Sequence, residues 1–185
     1  QQKGMKPMEF SVLYLIERQL PEYWQRFFEQ HLKLRSDDCY QDHAFIVKRN
    51  TFIFNQRRFI VLSNQWMINV DADFNTTCTE ASFKSVQWKM PLAALKALQI
   101  EQTTKKNDYF RLVVYFDLAE VNRIIELHGG TKKQKKELRK LKFVDLYTLR
   151  DFVFHLKRLY HLHRRSTIAR QNNMQRGMLP VSVKQ

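Results

Sequence analysis

The sequence contains two groups of basic residues whose side chains are suited to binding phosphate. The first group, the hairpin cations, flanks a predicted β-hairpin and consists of Lys48, Arg49, Arg57 and Arg58. An arginine can hold a phosphate group through two parallel hydrogen bonds, and a lysine adds a compact positive charge. The same residue types also suit a solvated strand edge, where lysine guards against pairing with another strand. The group predicts a phosphate site and leaves that structural alternative open.

The second group is a basic segment at residues 131–142. Its only acid is Glu137, and its cations are Lys132, Lys133, Lys135, Lys136, Arg139, Lys140 and Lys142. Each cation close to an anionic membrane surface adds about 1 kcal/mol of attraction, so we add Lys132, Lys133, Lys135 and Lys136 to the predicted site. A solvated loop is the structural alternative. Nucleic acid would attract the same charge, but RNA sites usually interleave aromatic residues with the cations, and this segment has none.

Composition restricts the class of protein. The chain has 185 residues and a formal net charge of +14, with a pI near 9.9. Such a balance favours polyanionic partners: anionic lipid, nucleic acid or the acidic surface of a cytoskeletal polymer. Hydrophobic residues make up 44% of the chain, which is enough to bury the core of one domain of ordinary size.

Motifs for catalysis and for cofactors are missing from the sequence. Its four glycines stand at positions 4, 129, 130 and 177, so neither a P-loop nor a G-x-G-x-x-G turn can be assembled. Cys39 and His43 have a possible ligand spacing but no second pair of ligands. Cys39 and Cys78 are expected to be free thiols in a reducing compartment. We expect a chain that is not an enzyme and that needs no cofactor and no metal ion.

The apolar pattern predicts seven strands followed by a helix. Trp66, Ile68 and Val70 show the alternation typical of a half-buried strand. The predicted strands span residues 43–50, 58–63, 65–71, 83–89, 95–102, 109–116 and 142–146. Helices are predicted at residues 118–127 and 148–165, the second with one apolar stripe. The sequence therefore predicts an α+β fold, in which a bent antiparallel sheet or barrel of about seven strands is capped by the C-terminal helix.

The N-terminal part is predicted to be helical, with apolar residues at helical spacing over residues 8–34 and a break at Leu20-Pro21. Its aromatic face is expected to pack on the sheet or on a preceding segment, with membrane insertion as the alternative. The chain does not begin with Met, so we expect a piece of a longer protein. The predicted organisation is a helical extension at 1–41, a domain at 42–165 with a basic insertion at 117–141, and a polar tail at 166–185.

Several stretches resemble one family. Residues 48–50 (KRN), 57–63 (RRFIVLS) and 66–71 (WMINVD) resemble the opening strands of the class I myosin tail-homology domain, a pleckstrin-homology-like family. Residues 90–92 (MPL), 98–100 (LQI), 109–115 and 143–159 are similar to its later segments. The resemblance covers about residues 42–165 and implies a pleckstrin-homology-like fold that binds anionic phospholipids. By position, Lys48 and Arg58 match the two basic residues that the family uses on inositol phosphate, with Arg57 beside them. The basic segment and the apolar hairpin tip at residues 52–54 depart from the family pattern.

The function expected from these features is binding of anionic phospholipids or phosphoinositides, which would anchor a larger, myosin I-like cytoskeletal protein to a membrane. The alternative is a protein–protein scaffold in a cytoskeletal or ciliary assembly that contacts actin or tubulin. An RNA-associated role is less favoured. The expected location is cytoplasmic, at a membrane periphery or on the cytoskeleton, and no run of about 18 apolar residues that could cross a bilayer is present.

Overall fold

The computed structural model describes residues 21–49, 55–74, 81–102, 110–143, 145–168 and 179–184. In chain order its elements are α1 (Pro21–Leu32), β1 (Tyr40–Arg49), β2 (Asn55–Ser63), β3 (Trp66–Phe74), β4 (Ala81–Pro91), a 3-10 turn (Leu92–Ala94), β5 (Leu95–Gln102), β6 (Phe110–Phe116), α2 (Leu118–Leu127), β7 (Leu138–Phe143), α3 (Leu146–Ile168) and β8 (Val181–Lys184).

The strands form two four-stranded sheets that do not close into a barrel. The first sheet has the order β1-β2-β3-β4 and the second the order β7-β6-β5-β8. All neighbouring strands are antiparallel except β8, which runs parallel to β5. The predicted α+β architecture, with antiparallel strands and a capping C-terminal helix, is confirmed.

Strand β2 of the first sheet is buried on both faces. Phe59, Ile60 and Val61 are all fully buried, although successive side chains of a strand point to opposite faces. The ring of Trp24 on α1 lies 5.1 Å from that of Phe59, so α1 covers one face. Phe28 of α1 is also fully buried. The expectation that the aromatic helix packs on the sheet is confirmed for α1, whereas the helix expected before Leu20 lies outside the described residues.

Helix α3 covers the end of the two sheets next to the 3-10 turn, β1, β6 and β7. Its first turn is capped by Asp145, whose carboxylate accepts hydrogen bonds from the backbone N–H of Thr148 at 2.7 Å and from its hydroxyl at 2.8 Å. Its inward stripe is buried and consists of Leu149, Phe152, Val153, Leu156, Leu159 and Tyr160. The predicted helix at residues 148–165 is therefore present, and it extends at both ends.

The structure differs from the sequence prediction at two strands of the second sheet. Strand β7 spans Leu138–Phe143. It begins four residues before the predicted start at 142, so part of the basic segment is a strand. Strand β8 was not predicted. Its side chains are exposed, and four of its residues pair with β5. Within the described residues, no helix is both long and apolar enough to cross a membrane.

A basic cleft as the candidate functional site

A cleft of about 730 Å³ lies between the first sheet and strands β6 and β7. Strands β1 and β7 are the outer strands of their sheets and lie against each other. Residues 138–142 of β7 all line the cleft, so the cleft follows the edge of that strand and not one of its faces. Six cationic side chains line it: Arg58, Arg111, Lys136, Arg139, Lys140 and Lys142.

Arg58 is the most buried of these cations. Its side chain is 8% exposed and forms an ion pair with Asp71 on the neighbouring strand β3. Burial lowers the pKa of the Arg58 guanidinium, and the carboxylate of Asp73 acts in the opposite direction; a guanidinium nonetheless keeps its charge in proteins. Arg58 therefore supplies a fixed positive charge whose hydrogen-bonding capacity is partly used by Asp71.

Arg111 is likewise paired with an acid. It lies directly opposite Glu101 in the β5–β6 ladder, and its Nη1 is 3.2 Å from the Glu101 carboxylate. About a third of its side chain, 35%, is exposed. Sequence reasoning missed Arg111, because a single cation near the start of an apolar strand gives no signal of what lies across the fold.

Arg139 connects the two sheets across the cleft. Its guanidinium lies over the indole ring of Trp88 on β4, 4.9 Å from the ring centre, and its Nη2 donates a 2.8 Å hydrogen bond to Gln134. Burial lowers the pKa of Arg139. Planar contacts of this kind hold an arginine in one orientation, so Arg139 presents its remaining donors in a fixed direction.

Lys136 and Lys140 are the accessible charges of the cleft. Both side chains are exposed, and neither has an ion pair with a described residue. Lys142 also lines the cleft and is partly buried. A multivalent anion that entered the cleft would meet these lysines together with Arg139, in a partly dehydrated space where charge-assisted hydrogen bonds are stronger than in water.

The structure brings together only part of the site predicted from the sequence. Arg58 and Lys136 line the cleft, whereas Lys132, Lys133 and Lys135 are exposed and do not.

Three of the hairpin cations lie on the β1–β2 ladder near the hairpin end. Lys48 is opposite Gln56, Arg49 opposite Asn55, and Arg57 opposite Val47. The apolar tip at 52–54 and Cys78 lie outside the described residues. Arg58 is opposite Ile46, so Lys48 and Arg58 are not direct cross-strand neighbours.

Several solved structures are similar to this chain at low sequence identity. The hSac2 domain from the human phosphoinositide phosphatase Sac2 is 12% identical, with a TM-score of 0.50, and the match covers 91% of this chain and 90% of that domain. A pleckstrin homology domain from Shewanella amazonensis is 12% identical, with a TM-score of 0.42 over 76% of this chain and 90% of that one. The DH/PH domains of PDZ-RhoGEF, in complex with activated RhoA, are 8% identical, with a TM-score of 0.40 over 84% of this chain and 40% of that one.

No protein-family model matches the sequence, and no curated protein matches it. At this level of identity the likenesses concern the fold alone. The element order, with two sheets and a capping C-terminal helix, agrees with the pleckstrin-homology-like architecture predicted from the sequence.

Proposed function

We propose that this chain is a non-enzymatic module that binds the headgroup of an anionic phospholipid, a phosphoinositide in particular, in the basic cleft. The observation that carries the proposal is the convergence of six cations on one cleft, two of which, Lys136 and Lys140, have no acidic partner among the described residues. A phosphorylated inositol ring carries several anionic groups on one small rigid body. It can therefore contact several of these cations at once.

The cleft also offers the mixed lining that such a ligand needs. Ile46, Leu138 and Leu141 lie beside the cations, so a ring with apolar faces and charged substituents would bury both kinds of surface. Hydrogen bonds to charged groups contribute about 1.5–3 kcal/mol each. Two or three such bonds to phosphate contribute about 3–9 kcal/mol, which is of the same order as the cost of association, about 4–15 kcal/mol, so the remaining cations of the cleft are expected to contribute as well.

By this proposal the module holds a larger protein at the periphery of a membrane. A myosin I-like parent fits the sequence resemblance, and a cytoskeletal or cytoplasmic location would follow. By position, Lys48 and Arg58 match the two basic residues that the resembled family uses on inositol phosphate. Here we propose that the edge of β7 is the centre of the site, with Lys132, Lys133 and Lys135 as outlying charges, and we retain Lys48, Arg49 and Arg57 as phosphate-binding residues on the strength of the sequence resemblance alone.

The test compares vesicles that have equal surface charge but different headgroups. Vesicles containing a bisphosphorylated phosphoinositide are matched in total charge by vesicles containing more phosphatidylserine, and binding is measured by co-sedimentation with phosphatidylcholine vesicles as the blank. We expect the phosphoinositide vesicles to bind several-fold more tightly, because only a headgroup that enters the cleft contacts several fixed donors. Equal binding to both charged vesicles would mean diffuse attraction and would refute a headgroup site.

A second candidate, a protein–protein scaffold, is favoured by one observation on α3. The outward side of this helix exposes three large apolar side chains: Tyr147 at 72%, Phe154 at 66% and Leu162 at 54%. Exposed Arg150 and Arg158 flank them. An acidic partner with apolar contacts, such as a cytoskeletal protein of an actin or tubulin assembly, would suit this face. The apolar part of its binding would survive high salt and would be lost in Phe154→Glu, whereas binding of vesicles at the cleft would persist in that variant.

A further inference from the structure

A cluster of three side chains that could bind a metal ion lies away from the basic cleft, between β1 and α3. It consists of Asp42, Asp151 and His155, each of which brings one ligand atom within 4.8 Å of the other two. Asp42 comes from β1, whereas Asp151 and His155 are four residues apart on α3. Residues at this helical spacing lie on one face, and this is also the spacing of the paired histidines in helical zinc sites.

The distances within the cluster are too long for hydrogen bonds and suit ligands around a common centre. His155 Nε2 is 3.6 Å from the Asp42 carboxylate and 3.7 Å from that of Asp151. A charge-assisted N–H···O bond would bring these atoms to about 2.7–2.9 Å. Two ligands at about 2.0–2.2 Å from a zinc ion in tetrahedral geometry are separated by about 3.4 Å. The observed separations are close to that value.

The three side chains of the cluster are partly or almost fully buried, which restricts their movement. The side chains of Asp42, Asp151 and His155 are 5%, 30% and 24% exposed. The cluster is thus partly open on the side of Asp151 and His155, which leaves room for a fourth ligand such as water. Two carboxylates held this close also repel each other, and a divalent cation between them would lower that repulsion.

We propose that Asp42, Asp151 and His155 bind a divalent transition-metal ion, of which Zn²⁺ is the best fit. The imidazole disfavours Mg²⁺ and Ca²⁺, which take oxygen ligands, while carboxylate and imidazole together suit zinc. The ion joins β1 to α3 and so ties the capping helix to the first sheet. This site is independent of the basic cleft.

The affinity is expected to be moderate. The Nδ1 atom of His155 is buried and has no hydrogen-bond partner among the described residues. A metal-bound histidine usually donates its second ring N–H to a neighbouring acceptor, and loss of that contact costs about 10–100-fold in affinity. Binding in the micromolar range follows, in place of the tighter binding of a structural zinc site with a complete surrounding shell.

The test is a calorimetric titration of Zn²⁺ into the full chain at neutral pH, with folding checked by circular dichroism. We expect one saturable equivalent, a rise in Tm with zinc, and at least a tenfold loss of affinity in both Asp151→Asn and His155→Gln. His161→Gln removes an imidazole elsewhere on α3, and Cys39→Ser removes the exposed free thiol; both controls should bind like the wild type.

Two results would overturn the proposal. One is a folded wild type without saturable zinc binding, which would leave His155 as an ordinary ionic partner of the two carboxylates. The other is undiminished zinc binding in Asp151→Asn and His155→Gln, which would place the metal elsewhere. Because Asp151 is partly exposed, Asp151→Asn carries the test by itself if His155→Gln does not fold.

Discussion

The guanidinium of Arg139 on β7 lies over the indole of Trp88 on β4, 4.9 Å from the centre of the ring. The contact joins the two sheets at a place where no backbone ladder joins them among the described strands. It also fixes one of the cations of the basic cleft. Stability and the proposed binding are therefore linked at this pair, and the pair can be tested by itself.

We predict a measurable coupling between Arg139 and Trp88. In a double-mutant cycle with Arg139→Gln and Trp88→Leu, the coupling free energy should be about 0.5–1 kcal/mol, and nearer 2 kcal/mol if the pair is well desolvated. The measurement is the free energy of unfolding in urea for the four proteins. Strictly additive effects of the two changes would show that the contact has no energetic role.

We predict that Arg58 contributes to the stability of the fold, in addition to any contact it makes with a ligand. Its ion pair with Asp71 is largely buried, with 8% and 21% of the two side chains exposed. Removing one partner of a buried pair costs about 3–5 kcal/mol, and the partial exposure of Asp71 lowers that figure. Arg58→Ala should thus unfold at a clearly lower urea concentration than the wild type.

The matched control for this prediction is Arg123→Ala. Its partner Glu120 lies on the surface of α2, and surface pairs contribute about 0–1 kcal/mol. If Arg58→Ala and Arg123→Ala had the same small effect, the burial of the Arg58–Asp71 pair would be wrong.

The packing of α3 predicts a large difference between two leucines of the same helix. Leu156 is fully buried, whereas Leu162 is 54% exposed. Leu156→Ala should cost about 2–5 kcal/mol, and Leu162→Ala should stay within about 0.5 kcal/mol of the wild type. Chemical denaturation of both variants checks this. A surface-like effect at Leu156 would mean that α3 does not cap the sheets.

The cap of α3 makes a further prediction. Asp145 accepts hydrogen bonds from both the N–H and the hydroxyl of Thr148. Asp145→Ala should lower stability by about 0.5–2 kcal/mol, while Asp145→Asn should retain most of the cap, because asparagine also accepts from the helix N–H groups. Thermal unfolding of the two variants compares them, and an equal loss in both would show that the negative charge matters more than the hydrogen bond.

Most of the first sheet could be predicted because its pattern is local. Alternating Trp66, Ile68 and Val70 predicted β3, and a short apolar run predicted β2. The α3 stripe was equally readable, since its apolar residues recur at helical spacing. In these elements the buried side chains recur at the spacing of a strand or of a helix, so the secondary structure can be predicted from the hydrophobic periodicity of the sequence.

The second sheet was harder to predict because its edges depend on distant partners. In β7 the cations Arg139, Lys140 and Lys142 conceal a short alternation of Leu141 and Phe143, which are buried. These cations are compatible with a strand because their side chains line the cleft, where their charge is not buried in the hydrophobic core. Strand β8 is a short exposed segment that forms only by pairing with β5. Such non-local pairing leaves no periodicity in the sequence.

The candidate site was predicted in part. Charge counting found the basic segment, and the resemblance pointed to Arg58. Neither could show that Lys136 lines the cleft while Lys132 and Lys133 do not, since that difference arises from where β7 begins. Arg111 was missed because it reaches the site by pairing with Lys142 in the β6–β7 ladder, and such non-local pairing gives no signal in the local sequence.

The most direct measurement compares two charge-matched double variants in binding to phosphoinositide vesicles. Lys136→Gln with Lys140→Gln removes two cleft lysines, and Lys132→Gln with Lys133→Gln removes two lysines of the same segment outside the cleft. Both changes lower the net charge equally, and all four side chains are exposed. If the cleft holds the headgroup, the first variant should lose about tenfold or more in affinity, the equivalent of 1.4 kcal/mol, and the second should lose much less. Equal losses in the two variants would contradict a binding site in the cleft.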